Sequence, residues 1–139
     1  AKHIGNVMKH TFRNWNEAEY ARLLQKLSLP DNKQFKDFSR GMKMKLGIAV
    51  AMSHGAKLLL LDEPTRGIDI GAKTEIYELM EELTRNGKSI IMISSELAEI
   101  RRCSDRVMVM CEGRVTAELP IENADQENIM KYAMMRKGE

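Results

Sequence analysis

Four consecutive leucines at residues 58–61 lead directly into Asp62 and Glu63, and this feature constrains the fold most. An unbroken apolar run of this length predicts a β-strand buried on both faces. Residues 89–93 predict a second fully buried strand, and the helical spacing of apolar residues over 76–83 predicts a helix between the two strands. A helix between buried strands is typical of a parallel βαβ unit, so we expect an α/β fold with a parallel sheet.

The rest of the chain predicts further helices and a hairpin. The first fifteen residues show no clear period and receive no assignment. Helical spacing predicts four helices, at residues 16–30 with Pro30 as the stop, 39–53, 96–102 and 125–135. A strand at residues 106–110 and another at 114–119 flank Glu112-Gly113, which predicts a hairpin turn.

Length and composition exclude several classes of protein. The chain has 139 residues, 43% hydrophobic and 30% charged, which favours one globular domain over a disordered chain. No apolar run approaches the roughly 20 residues of a membrane-spanning helix, and no signal peptide is visible, so we expect a cytoplasmic setting. Cys103 and Cys111 have no second ligand pair nearby and predict neither a zinc site nor a disulfide scaffold.

The charge distribution is uneven but points to no nucleic-acid partner. Residues 1–56 carry 10 Lys/Arg against 4 Asp/Glu, whereas residues 57–139 carry 12 against 16. A basic half can meet nucleic acid, phosphate or an anionic membrane. Because the sequence has neither interleaved aromatic residues nor a dense basic block, we interpret the charges as a solvated surface.

The acids that end the leucine strand are candidates for phosphate chemistry. Ligands bind open α/β sheets at the carboxyl ends of the strands. There Asp62 can hold Mg²⁺ on a nucleotide through water, and Glu63 can orient and deprotonate the water that attacks the terminal phosphate. The alternative is a strand that simply ends in a polar turn.

Ser39, Arg40 and Gly41 stand where the second predicted helix begins. Unpaired backbone N–H groups, the positive end of the helix dipole and a hydroxyl there all favour an anion. The alternative is that Ser39 is only an N-cap.

The order of these segments resembles the ATP-binding-cassette (ABC) ATPases. Residues 38–42 (FSRGM) resemble the family's signature motif, residues 58–63 its Walker B strand with the catalytic glutamate, and residues 67–69 its D-loop. The likeness extends from about residue 5 to residue 135. It implies a partial P-loop NTPase fold, a parallel sheet with helices plus a helical subdomain.

The resemblance also implies roles for single residues. Ser39 and the Gly41 amide would touch the γ-phosphate of an ATP held by the opposing subunit of a head-to-tail dimer. Asp62 would serve Mg²⁺ through water and Glu63 the attacking water. Asp69 would communicate across the dimer, and it can be a helix N-cap at the same time.

Three positions depart from the family pattern. Arg40 replaces the first glycine of the signature and Met42 its usual glutamine, and a cation is tolerable beside a triphosphate. Ser95 stands where the switch histidine is expected, two residues after the second strand. Because a hydroxyl cannot replace that imidazole, a completed site would turn over slowly or be regulatory.

The phosphate-binding loop itself is missing from the sequence. That loop needs Gly-x₄-Gly-Lys-Ser/Thr, and none of the nine glycines is followed five residues later by another. We therefore expect a single partial nucleotide-binding domain, with a helical signature subdomain at 1–56 and the Walker B half of the core at 57–139. Alone, this chain should bind ATP feebly.

The resemblance implies the ATP-binding subunit of a transporter, with ATP and Mg²⁺ as cofactors. Residues 65–135 look like the second cassette of ribose- or galactose-type sugar importers, and residues 1–64 like ABC-2 exporters, which suggests a recombinant chain. Expected partners are a second nucleotide-binding domain and permease subunits at the inner face of the cell membrane, and in isolation we expect a dimer or a swapped assembly. The alternatives are a non-catalytic module that presents its signature to a partner with an intact loop, and a soluble, non-transport ABC ATPase.

Overall fold

A computed structural model describes residues 1–135, apart from the side chain of Lys2. The chain divides into two compact units, one comprising Ala1–Ile93 and the other beginning at Ser94. Along the part described, no helix is both long and apolar enough to cross a membrane.

The first unit contains four α-helices and two parallel strands. In chain order these are α1 (Lys2–Thr11), α2 (Glu17–Lys26), α3 (Arg40–Ser53), β1 (Leu58–Asp62), α4 (Ile70–Arg85) and β2 (Ser89–Ile93), with a 3₁₀ turn at Phe35–Asp37 before α3. β1 and β2 pair in parallel with Leu58 opposite Ser89 and Asp62 opposite Ile93. The predicted βαβ unit and the α/β fold class are confirmed.

The prediction that both strands are buried on both faces is wrong. Leu59 and Leu61 are buried on one face of the sheet, where α4 contributes its own buried apolar side chains. On the other face, Leu60 is 65% exposed and Ile91 52% exposed. Among the described residues the sheet has only two strands and one covering layer, so the apolar run of β1 has an exposed side.

α2 and α3 pack together through a shared apolar core. Tyr20, Leu23, Leu46 and Ile48 are all nearly inaccessible to solvent. α2 starts at the predicted place because Asn16 caps it, accepting a hydrogen bond from the Glu19 backbone N–H at 3.0 Å. It ends four residues before Pro30, since Ser28 takes a left-handed conformation with φ of 52°.

α1 is a helix that the sequence pattern did not predict. Its contact with α2 uses the small residue Gly5, because a Cβ there would lie 2.6 Å from the Tyr20 ring. The Tyr20 hydroxyl donates to the Ala1 carbonyl at 3.0 Å. Because α1 makes these contacts through Ala1 and Gly5 and not through large apolar side chains, its sequence shows no apolar periodicity.

Tyr20 should make the stability of the first unit fall at alkaline pH. Burial, helped by the charges of Glu17 and Asp31, raises the pKa of Tyr20 to about 12. Because the unfolded tyrosine ionises near pH 10, its contribution is complete below that pH and is lost as the pH rises to 12. We expect the free energy of unfolding in urea to fall more between about pH 9 and pH 11 in the wild type than in Tyr20→Phe. Equal slopes in the two proteins would contradict this account.

The second unit is built around an antiparallel hairpin. It contains α5 (Leu97–Cys103), β3 (Arg106–Cys111), β4 (Arg114–Pro120) and α6 (Gln126–Ala133). Both Glu112 and Gly113 have positive φ, 49° and 76°, as a two-residue hairpin turn that matches the strand twist requires. Val107, Val109 and Ala124 form its buried core. The predicted hairpin and both predicted helices are confirmed.

Candidate functional site

The loop that follows β1 is tightly anchored to the sheet. The Glu63 backbone N–H donates to the Ile93 carbonyl at 2.8 Å, so the inter-strand pairing continues one residue past the end of β1. Pro64 and Thr65 are fully buried. Two further backbone bonds close the loop, from the Arg66 N–H to the Glu63 carbonyl at 3.2 Å and from the Ile68 N–H to the Thr65 carbonyl at 3.1 Å. The acids therefore sit on a rigid support.

Glu63 has an unusual backbone conformation, with φ of 46°. A non-glycine residue in the left-handed region costs energy and persists only where its surroundings enforce it, and such residues cluster at functional sites. The burial of Pro64 and Thr65 beside it supplies that enforcement. The conformation makes the Glu63 side chain a candidate for a functional role rather than a surface acid of the turn.

Asp62 lies at the carboxyl end of β1, in register with Ile93 and exposed. Parallel neighbours in register share a face, so its carboxylate is on the exposed side of the sheet. In the described part of the chain, no three His, Cys, Asp or Glu side chains come together as a metal site. The single exposed carboxylate of Asp62 fits Mg²⁺. Proteins hold Mg²⁺ through one or two carboxylates plus water and substrate phosphates rather than in an all-protein cage.

Ser39 is the N-cap of α3, as the simpler interpretation predicts. Its Oγ accepts a hydrogen bond from the Met42 backbone N–H at 3.2 Å. A capping serine still has its own hydroxyl proton to donate, because the cap uses only an acceptor site. The Ser39 side chain is exposed, so the cap does not prevent an anion from binding at this helix start.

The start of α3 packs directly against the loop between β1 and α4. A Cβ added at Gly41 would lie 3.4 Å from side-chain atoms of Ile68 and Ala72. A Cβ added at Gly67, whose φ is 68°, would lie 3.1 Å from the Arg40 guanidinium. Lys45 on α3 also pairs with Glu75 on α4. The two segments predicted from separate motifs therefore form one surface, and Arg40 lies against the backbone of Gly67.

Asp69 caps α4, because its Oδ1 accepts a hydrogen bond from the Ala72 N–H at 3.0 Å. Replacing it with alanine should lower the free energy of unfolding by about 1 kcal/mol, whereas asparagine, also a good N-cap, should change it little. Urea denaturation of both variants measures the difference. If Asp69→Asn is as unstable as Asp69→Ala, the carboxylate charge and not the cap is what stabilises the helix.

Ser95 belongs to the second unit, in the segment between β2 and α5, and it is exposed. Its neighbour Ser94 donates to the Glu99 carboxylate at 2.5 Å and accepts from the Glu96 backbone N–H at 3.0 Å. Glu99 is only 3% exposed. The sequence analysis missed this buried acid, although a glutamate between Ala98 and Ile100 in a short helix is the signal that could have indicated it.

Comparison with known proteins agrees with these motifs. The ABC transporter family matches residues 2–66. The ribose import ATP-binding protein RbsA of Clostridium perfringens (strain SM101) is 44% identical over 133 residues, which is 91% of this chain and 26% of that protein. A putative ribose/galactose/methyl galactoside import ATP-binding protein of Burkholderia cenocepacia (strain HI2424) is 52% identical over 100 residues, 72% of this chain and 20% of that protein.

Solved structures show the same fold. An ATP-binding cassette of an ABC transporter superimposes with a TM-score of 0.72 at 22% identity, over 85% of this chain and 49% of that one. An ATP-binding subunit of an ABC transporter gives a TM-score of 0.66 at 30% identity, over 82% of this chain and 50% of that one. The partial P-loop NTPase fold is thereby confirmed.

The extent of the matches bears on the organisation of the chain. The chain spans about a quarter of the length of the curated relatives that it matches. A single relative, that of C. perfringens, aligns with residues on both sides of position 64. A join between exporter-like and importer-like halves is therefore not needed to explain the sequence. Fold, motifs and relatives together identify the chain as part of an ABC transporter ATPase that resembles those of sugar importers.

Proposed function

We propose that the protein acts in ATP hydrolysis coupled to solute transport, with import of a sugar as the leading candidate. The observation that carries this proposal is the shared surface of Arg40 and Gly41 with the loop that follows Asp62 and Glu63. The choice of a sugar is supported by the relatives named as ribose and ribose/galactose/methyl galactoside import ATP-binding proteins. Its partners would be permease subunits and a second nucleotide-binding domain, and its place the cytoplasmic face of the membrane.

Each site residue has a proposed role on this surface. Ser39, with the Gly41 amide, donates to the γ-phosphate of an ATP held by the second domain, and Arg40 and Met42 flank that contact.

Asp62 holds Mg²⁺ through water, and the ion neutralises phosphate charge when bound. Glu63 orients the attacking water and accepts its proton. Asp69 transmits the state of one site to the other, since it caps α4 directly after the loop that Arg40 touches.

The second candidate is a non-catalytic or regulatory module. The observation that favours it is Ser95 at the switch position, where a hydroxyl stands in place of the expected imidazole. In this role the 139-residue chain is inactive alone and presents its signature surface to a partner that holds ATP. Both candidates use the same contact between Ser39 and a partner's nucleotide.

Nucleotide-dependent association tests that contact. The chain is mixed with an intact ABC ATP-binding subunit and a non-hydrolysable ATP analogue with Mg²⁺, and the complex is followed by light scattering. Ser39→Thr keeps both the cap and the neutral hydroxyl and should bind like the wild type. Ser39→Asp keeps the cap but faces the γ-phosphate with a negative charge, and should lose the complex.

The matched control is Thr84→Glu, which adds the same charge at the far end of α4 and should leave association unchanged. Association that is equally strong with ADP, or that survives in Ser39→Asp, is incompatible with the proposed role of Ser39.

A further inference from the structure

The most buried residue of α5 is an acid. Glu99 is 3% exposed, whereas Leu97 and Ile100 on the same seven-residue helix are only half-buried. An apolar side chain fills a buried place without cost, but a carboxylate removed from water lowers stability unless hydrogen bonds satisfy it. The function proposed above makes no use of Glu99, so the burial of this acid needs a separate explanation.

Hydrogen bonds connect Glu99 to the segment that follows β2. The Ser94 hydroxyl donates to the Glu99 carboxylate at 2.5 Å, and the same oxygen accepts from the Glu96 backbone N–H at 3.0 Å. The Glu99 backbone N–H donates in turn to the Glu96 carbonyl at 3.0 Å. The three bonds form a closed ring through residues 94, 96 and 99. Because a hydrogen bond to a carboxylate is stronger than one between neutral groups, Glu99 fixes the direction of the Ser94 hydroxyl.

Ser95 lies between two residues of this ring. The bonds restrain the backbone before it at Ser94 and after it at Glu96, while the Ser95 side chain is exposed. A group that contacts a ligand acts best when supporting hydrogen bonds fix its position in advance. A serine side chain is short, so its hydroxyl reaches a phosphate only if the backbone that carries it is correctly placed.

We propose that Glu99 is a positioning residue, which acts through Ser94 to hold Ser95 in place for contact with a nucleotide phosphate. Glu99 itself touches neither the nucleotide nor the attacking water. The inference rests on the proposed function, because the placement of Ser95 matters to the reaction only if this segment meets ATP.

Backbone ¹⁵N relaxation of the 139-residue chain tests the positioning without nucleotide. In the wild type, the Ser95 and Glu96 amides should have order parameters near the value of rigid backbone, about 0.85. Glu99→Met keeps the length of the side chain but removes the acceptor, and should lower both values below about 0.6. Glu122→Met is the same substitution at an exposed position of the second unit and should leave them unchanged.

ATP hydrolysis tests whether this placement matters to the reaction. The measurement uses a chimera in which this chain replaces the matching half of the ATP-binding subunit that is 30% identical to it. Glu99→Met and Ser94→Ala should each lower kcat by about tenfold or more, as misplacement of a contacting group does, with KM for ATP nearly unchanged. The double variant should lose no more than either single variant, because both remove the same hydrogen bond. Ser94→Thr keeps the hydroxyl and should retain the rate of the unaltered chimera.

Urea denaturation separates positioning from stability, because an apolar residue of similar volume in place of a buried charge is often neutral or stabilising. If Glu99→Met lowers the unfolding midpoint, Ser94→Ala still decides the test, since it removes only a hydroxyl.

Unchanged order parameters in Glu99→Met, or full hydrolysis despite lost order, would overturn the proposal. Losses that multiply in the double variant would also overturn it, because the two residues would then not act through one bond. An unaltered chimera that hydrolyses no ATP counts against the proposed function instead, and the order parameters then decide the role of Glu99 by themselves.

Discussion

Glu63→Gln should reduce ATP hydrolysis by about 100-fold or more, the size expected for loss of a general base. The measurement uses a chimera in which this chain replaces the matching half of the solved ATP-binding subunit, which is 30% identical over that part. The rest of the chimera is the half of that subunit outside the match. Glutamine keeps the shape of the side chain but cannot accept the proton of the attacking water, so the fall should appear in kcat and not in ATP affinity.

The matched control is Glu78→Gln, the same substitution at an exposed position on α4. Its hydrolysis rate should equal that of the unaltered chimera. A Glu63→Gln rate within a factor of about three of the unaltered chimera is too small a loss for a general base and would remove Glu63 from the proposed mechanism.

Ile76→Ala should destabilise the first unit by about 2–5 kcal/mol. Ile76 on α4 is completely buried, so alanine leaves a cavity in the core of this unit. Ile70 provides the matched control because it is the same residue type on the same helix and is 85% exposed. Ile70→Ala should change the free energy of unfolding by less than about 0.5 kcal/mol.

Urea denaturation followed by circular dichroism measures both variants, with the unfolding midpoint and slope fitted separately. Similar losses in the two would mean that the buried side of α4, which carries Ile76, contributes no more to stability than its exposed side. A larger loss at Ile70 would contradict the packing of this unit.

The sequence was sufficient to predict the elements that have strong local signals. The leucine run with its following acids indicated β1. An N-cap was the alternative interpretation of Ser39 and a compatible one of Asp69, since capping depends on the residue itself and three or four neighbours. The turn at Glu112-Gly113 was predictable because a hairpin turn also depends on its own residues and their immediate neighbours. The order of the motifs along the chain then indicated the fold, because the ABC ATPases share this order.

Features that depend on tertiary packing could not be predicted in the same way. The exposure of Leu58 and Leu60 depends on how many layers cover the sheet, which a leucine run does not encode. α1 was missed because its contact with Tyr20 uses Gly5, a residue with no apolar side chain. The proximity of Arg40 to Gly67, 27 positions apart, is a tertiary contact, and it joins the two motifs into one candidate site.

Titration calorimetry of Mg-ATP into the 139-residue chain tests the central claim most directly. The claim is that these residues carry the surface that closes on a nucleotide and the acids that act on it, but not the loop that holds its phosphates. The predicted result is binding weaker than a dissociation constant of about 1 mM. A micromolar dissociation constant for the chain alone would contradict the account.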